Sequence, residues 1–242
     1  MLTLQQSKEN SSAPELSERL CAVARGLPKN GVICDVGSDH GALPLFLLRE
    51  GLCSRVIVTD LNEAPLFRAK IALEKAGLSE RSEFVLTDGI ADILPMHPNA
   101  FVIAGMGGDT IVGILSRGLS GLEKGTVFAL QPMTKEERLR AFLYENGFFI
   151  EDEIAVLENG KVFLVLFVRY DAVLRNHDVV MDHFGEYLLK KDDEQSRAYI
   201  AKVIGKMTKR LNGLRCNSER NNDEIALINK ILSRMEDIHE CS

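Results

Sequence analysis

Apolar residues along this chain follow two periods. Short apolar runs bounded by glycine or polar residues, at 31–36, 55–60, 82–87, 100–104 and 127–130, predict strands. Between them, 43–50, 64–76, 110–119 and 135–145 place apolar residues three and four apart, which predicts helices, the second closed by Gly77. A leading helix over 16–27 carries Leu16, Leu20, Val23, Ala24 and Leu27 on one face, with Ser12 as a candidate cap. Two further alternating runs, 148–157 and 162–169, joined across Glu158-Asn-Gly160, predict a hairpin.

Strand and helix alternating in this way predict an open parallel sheet, and the hairpin adds antiparallel strands at its edge, for seven strands in all. From about Asp171 no strand pattern remains. Val180, Phe184, Tyr187 and Leu188, then Ile200, Val203, Ile204, Met207, Leu211 and Leu214, fall at helical spacing. Two or three helices are expected there, with turn signals at Asn212-Gly213 and 217–222 and a returning helix over 224–237. The expected organisation is a Rossmann-like α/β domain over 1–170 and a helical domain over 171–242.

Composition is that of an ordinary globular chain, 45% hydrophobic and 26% charged. No apolar run is long enough to span a bilayer, and residues 1–10 lack the apolar stretch of a secretory signal, so a soluble, cytoplasmic protein is expected. The five cysteines, Cys21, Cys34, Cys53, Cys216 and Cys241, are scattered without metal-ligand spacing; reduced thiols and no metal are expected, with Cys34 a core residue. Charge changes the picture more. The net of −6 resides in residues 1–171, with 17 basic and 23 acidic side chains, whereas 197–220 holds seven basic residues against one acidic. An acidic body with a basic arm suits a partner whose phosphates the arm would meet.

The candidate chemistry lies where strands end, because ligands of open α/β sheets bind at the carboxyl edge. Gly37-Ser-Asp-His-Gly41 follows the first strand, and Gly37 and Gly41 let the backbone turn tightly and approach a ligand. Asp39 stands where a dinucleotide site has glycine, and its carboxylate would repel a pyrophosphate. S-adenosylmethionine has no phosphate and carries a sulfonium and an ammonium, which acidic neighbours favour. Asp60, 23 residues after Gly37, has the spacing of a carboxylate that binds ribose hydroxyls, although it is also placed to cap a helix. Asp88-Gly89 follows the third strand and either reaches the adenine amino group or forms a plain turn. Gly105-Met-Gly-Gly108 implies a close approach after the fourth strand, and Gln131-Pro132, a rim or a plain loop, follows the fifth. The Asn/Asp-Pro-Pro-aromatic signature of many amino-group methyltransferases is absent.

Asp35-Val-Gly-Ser-Asp-His40 with Leu43-Pro44, Ala104-Gly-Met-Gly-Gly108 and Leu130-Gln-Pro132, preceded by Leu16-Ser-Glu-Arg-Leu20, resemble the bacterial tRNA adenine-N1 methyltransferases called TrmK, which methylate adenine 22. The resemblance runs over essentially the whole chain. It implies a class I methyltransferase fold with a coiled-coil-like tail. It also implies S-adenosylmethionine held by Asp35, Gly37, Ser38, Asp60, Leu61, Asp88, Gly89, Gly105 and Met106, with Gly41 completing the turn. Asp39 and His40 would face the target base. The adenine N1 becomes cationic as it takes the methyl, so the Asp39 carboxylate would stabilise it, and His40 would orient Asp39 or contact the base. The family often has Ala-Tyr where this chain has Gly41-Ala42, which leaves base stacking without an assigned residue.

The resemblance gives the tail a partner as well: Arg197, Lys202, Lys206, Lys209, Arg210 and Arg215 would grip tRNA phosphates, the alternative being a solvated helix face. A monomer is expected. Three other readings stay open: a small-molecule methyltransferase of the same fold, a nicotinamide-dependent oxidoreductase, and an RNA-binding module with a vestigial cofactor pocket.

Overall fold

The computed structural model describes residues 16–38, 40–215 and 221–240, and it contains one seven-stranded sheet in the order β3-β2-β1-β4-β5-β7-β6. The strands are β1 (Val32–Val36), β2 (Arg55–Asp60), β3 (Ser82–Leu86), β4 (Ala100–Gly107), β5 (Val127–Thr134), β6 (Phe148–Glu158) and β7 (Lys161–Tyr170). The first five pair in parallel and β7 joins β5 and β6 antiparallel. The expected doubly wound sheet with an antiparallel edge is therefore present. Asn159 and Gly160 both take positive φ in the two-residue β6–β7 turn, the conformation a type I′ hairpin needs.

Helices α1 (Glu18–Arg25), α2 (Ala42–Arg49), α3 (Glu63–Lys75), α4 (Gly108–Gly118) and α5 (Glu136–Glu145) flank the sheet. Alternate residues of each strand enter different cores. Cys34, Phe101, Ile103, Phe128, Leu130 and Leu164 face one side, while Ile33, Val56, Val58, Val102, Ala129 and Val165 face the other. Burial on both faces is why the parallel strands read as near-continuous apolar runs. Cys34 is fully buried, as expected of a core residue.

Three expectations are corrected. Strands β4 and β5 run three and four residues further than the apolar pattern suggested, so Gly105-Met106 and Gln131-Pro132 lie within strands rather than after them. The tail begins with irregular chain and, among the described residues, has four helices rather than two or three: α6 (Val179–Phe184), α7 (Glu186–Lys190), α8 (Glu194–Arg215) and α9 (Asn222–Glu240). Asn212-Gly213 does not turn the chain but continues α8, whose Leu211 and Leu214 are buried on either side of it. Ser12 and most of 217–222 lie outside the described residues.

The tail shares the core of the α4–α5 face: Tyr199, Val203, Met207, Leu211, Ile228 and Ile231 are continuous with the sheet's apolar residues. A buried ion pair ties this junction. Arg140 of α5, with no exposed surface, donates from Nε to Glu153 Oε1 of β6 at 2.6 Å. Its Nη1 donates to the carbonyls of Asp182 (2.8 Å) and His183 (3.3 Å) and to the Tyr199 hydroxyl (3.2 Å). The Tyr187 N–H reaches Glu153 Oε2 at 3.2 Å, so five elements meet on one charge pair. Among the described residues no helix is long and apolar enough to cross a membrane.

Candidate active site at the carboxyl edge of the sheet

The turn after β1 is pinned to its neighbour: the N–H groups of Gly37 and Ser38 both donate to the Thr59 carbonyl, at 2.8 and 3.2 Å. Gly37 has φ +79°, and a Cβ there would stand 2.0 Å from Met106 Cε. Gly41, at φ +67°, begins α2, and a Cβ there would stand 3.1 Å from Ala69 of α3. Both glycines thus meet the conformational demand read from the sequence. Asp39 lies outside the described residues, and His40 is exposed at the mouth of α2.

Two carboxylates converge below this turn. Asp35 is buried, 7% exposed, beside buried Ser38. Burial pushes the Asp35 carboxyl up to about 6; the Ser38 hydrogen bond works against that, and the negative charge of Asp60 adds to it. Asp60 closes β2 and accepts the Asn62 N–H at 2.8 Å, so it organises the entry to α3 while remaining at the crevice. Leu61, 63% exposed, projects beside it. A buried acid held unfavourably ionised suits a ligand that brings positive charge and hydroxyl donors.

The third element is less open. Asp88 is paired with Arg117 of α4 at 2.7 Å, and the same guanidinium lies 3.6 Å from where a Cβ on Gly89 would be. A cofactor contact from Asp88 therefore shares this residue with an internal ion pair. Across the crevice, the β4–β5 ladder pairs Ala104 with Gln131 and Met106 with Pro132 and skips Gly105, which bulges at φ +77°. Gln131, fully buried, accepts the Gly105 N–H through Oε1 at 3.0 Å, and Arg19 Nη1 donates to the same oxygen at 2.7 Å. The rim beyond is charged: Asp109 at the start of α4 takes Lys135 at 2.8 Å and Arg138 at 2.9 Å.

A methyltransferase-domain model matches residues 16–166. The chain is 34% identical to the tRNA (adenine(22)-N(1))-methyltransferase of Bacillus subtilis over 63% of this chain; the matched region spans 64% of that enzyme. Its fold resembles the crystal structure of the B. subtilis m1A22 tRNA methyltransferase TrmK, with a TM-score of 0.76 and 28% identity over 93% of this chain and 98% of that one. A candidate tRNA (m1A22) methyltransferase from Streptococcus pneumoniae, solved with S-adenosyl-L-methionine, is similar at 30% identity and a TM-score of 0.74, over 90% of this chain and 100% of that one. The chain belongs to the TrmK family. Asp35, Gly37, Ser38, Asp60, Gly105 and Met106 all stand at the carboxyl ends of β1, β2 and β4.

The basic arm of this TrmK-family chain is less free than its charge count suggested. Lys202 donates to Glu136 Oε1 at 3.1 Å and to the Val162 carbonyl at 3.0 Å, and Lys206 lies 3.8 Å from Glu136 Oε2. Arg210 pairs with Glu224 at 2.8 Å, and Arg197 with Asp192. Lys202, Lys206, Arg210, Glu136 and Glu224 edge a groove of about 270 Å³ between α5, α8 and α9 that Val203, Met207 and Ile228 also line. Lys209 and Arg215, both exposed, sit on the outer side of α8. From the sequence Arg19 has no role and Gln131 is only part of a rim or loop; the only further signals are their places in Leu16-Ser-Glu-Arg-Leu20 and Leu130-Gln-Pro132.

Proposed function

We propose that this chain transfers the methyl group of S-adenosylmethionine to N1 of adenine 22 in tRNA. The observation that carries the reading is the crevice itself: a glycine turn pinned to β2, a buried carboxylate pushed up by burial, and the bulged Gly105-Met106, in a TrmK-family chain. Asp35, Ser38 and Asp60 fit a ligand with a sulfonium, an ammonium and ribose hydroxyls, and Gly37, Gly41 and Gly105 supply the close backbone approach it needs. When bound, S-adenosylmethionine supplies an electrophilic methyl carbon and a neutral leaving sulfide. Met106, against Gly37, narrows the crevice from the β4 side. Asp39 stabilises the positive charge that develops on the base as N1 takes the methyl, and His40 contacts the base or orients Asp39. Leu61 would flank the adenosine, and Asp88 with Gly89 would contact it from the β3 side.

Residues 1–170 bind the cofactor and residues 171–242 hold tRNA, with Lys209 and Arg215 as its outward cations and Arg197, Lys202, Lys206 and Arg210 exchanging internal carboxylates for phosphates. The enzyme acts as a cytoplasmic monomer. That internal pairing favours one rival, a small-molecule methyltransferase whose tail is structural. Labelled methyl transfer to unmodified tRNA, with adenine 22 replaced by guanine as control, separates the two. Signal lost with that adenine supports the proposal. No transfer to tRNA despite calorimetric S-adenosylmethionine binding overturns it.

A further inference from the structure

The bulge in β4 is held open by a chain of side chains that begins far away in sequence. A bulge removes one residue from the ladder and re-aims its neighbours, and its orphaned N–H must find another acceptor. Gly105 is that residue, and its N–H goes to the side chain of Gln131 rather than to the backbone of β5. The amide is fixed at both ends: Nε2 donates to the Pro132 carbonyl at 2.9 Å, and Oε1 takes Arg19 at 2.7 Å. Arg19 is fixed in turn, its backbone N–H and Nε donating to the two Glu158 oxygens at 3.0 and 3.2 Å and its guanidinium lying over the Phe163 ring at 5.6 Å. Residue 106 follows the bulge directly, and its Sδ-methyl end is what abuts Gly37.

We infer that Gln131, oriented by Arg19, is a positioning residue that holds the Gly105 bulge and so seats Met106 against the Gly37 turn of the methyl-transfer crevice. The inference rests on the cofactor part of the proposed function and not on the identity of the acceptor. It assigns work to α1 and to the β6–β7 hairpin, which deliver Arg19 and Glu158 to the rim.

The test compares Gln131→Leu, Gln131→Glu and Arg19→Lys with the unaltered chain, by S-adenosylmethionine calorimetry, single-turnover methyl transfer to tRNA, tRNA KM and thermal melting. Gln131→Leu removes the acceptor shared by Gly105 and Arg19 and the donor to Pro132; loss of the Gly105 hydrogen bond, the one that holds the bulge, predicts about tenfold weaker cofactor binding and about tenfold slower transfer, with tRNA KM unchanged. Gln131→Glu keeps an acceptor facing Gly105 and Arg19 and recovers most of both. Arg19→Lys, whose single nitrogen serves Glu158 or Gln131 but not both, falls between them. A purely structural role would lower the melting temperature and leave cofactor affinity and rate in the folded protein alone, which overturns the inference. So does equal behaviour of Gln131→Leu and Gln131→Glu. If the unaltered chain methylates no tRNA, the acceptor reading fails, while the ordering of cofactor affinities still decides this one; should Gln131→Leu not fold, Arg19→Lys against the unaltered chain decides it.

Discussion

Asp35 sets the sharpest test of the crevice, because the same charge should cost stability and confer affinity. Its carboxyl is pushed from 3.8 up to about 6 by burial first, with the Asp60 charge adding to it. That rise disfavours the ionised form in the fold by about 3 kcal/mol. The sign follows from linkage: an acid that holds its proton more tightly when folded contributes stability below its unfolded value, and the contribution is lost as pH rises through about 6. At pH 7.5 the ligand-free protein therefore carries the full penalty. Asp35→Asn keeps the shape and an acceptor for Ser38 but removes the charge, so it should stabilise the ligand-free protein at pH 7.5 by about 1–3 kcal/mol, raising the melting temperature by about 2–10 °C. The gain should shrink toward zero near pH 4. S-adenosylmethionine affinity should move the other way, weakening at least about tenfold with loss of the opposite charge. In the unaltered chain the affinity should fall below pH 6 as Asp35 takes its proton, and in Asp35→Asn that dependence should be absent. Scanning calorimetry and titration calorimetry from pH 4.5 to 8 measure both. An Asn variant less stable at every pH, or one that binds the cofactor normally, refutes the reasoning.

The remaining expectations concern the arm and its junction. Lys209→Glu with Arg215→Glu should weaken tRNA binding about tenfold and flatten its salt dependence, while the melting temperature and cofactor affinity stay put; unchanged binding in a filter assay would remove these two from the interface. Lys202→Met with Lys206→Met should act on stability instead. Burial raises the Glu136 carboxyl, yet its backbone hydrogen bond and the two lysines hold it below its ordinary value, so its contribution is present above pH 4.5 and lost as pH falls. The double variant should lose stability at pH 7 and little at pH 3, as read by denaturant melts. Arg140→Met strands the buried Glu153 and should cost about 3–5 kcal/mol in a urea melt, the largest single loss predicted here.

What could be read from the chain alone was what local pattern controls. Apolar runs located the five parallel strands and alternation the two antiparallel ones among the described residues, since burial on one or both faces of a sheet imprints itself on neighbouring residues, and the glycines at 37 and 41 announced their positive φ because few other residues adopt it. The ends of β4 and β5 escaped because the apolar signal stops at Ala104 and Leu130 while pairing continues through a bulge, and a bulge is sustained by its partner strand rather than by its own sequence. Asn212-Gly213 misled for a related reason: the turn preference of two residues is outweighed by Leu211 and Leu214 entering the shared core.

Charge shows the same division between what a sequence contains and what it connects. Seven basic residues in 197–220 were countable, but Glu136, which takes two of them, lies 66 residues from Lys202, and Gln131 lies 112 from Arg19. No period or motif encodes such a partner, because it is created only when the tail packs on α5 and when α1 packs beside the hairpin. The consequence for the arm is specific. A cation already held by a buried carboxylate must give up that pair before it can take a phosphate, and the exchange returns less than a first contact would. Affinity for tRNA should therefore rest on Lys209 and Arg215 out of proportion to their number, with the inner lysines acting chiefly to fix α8 against α5.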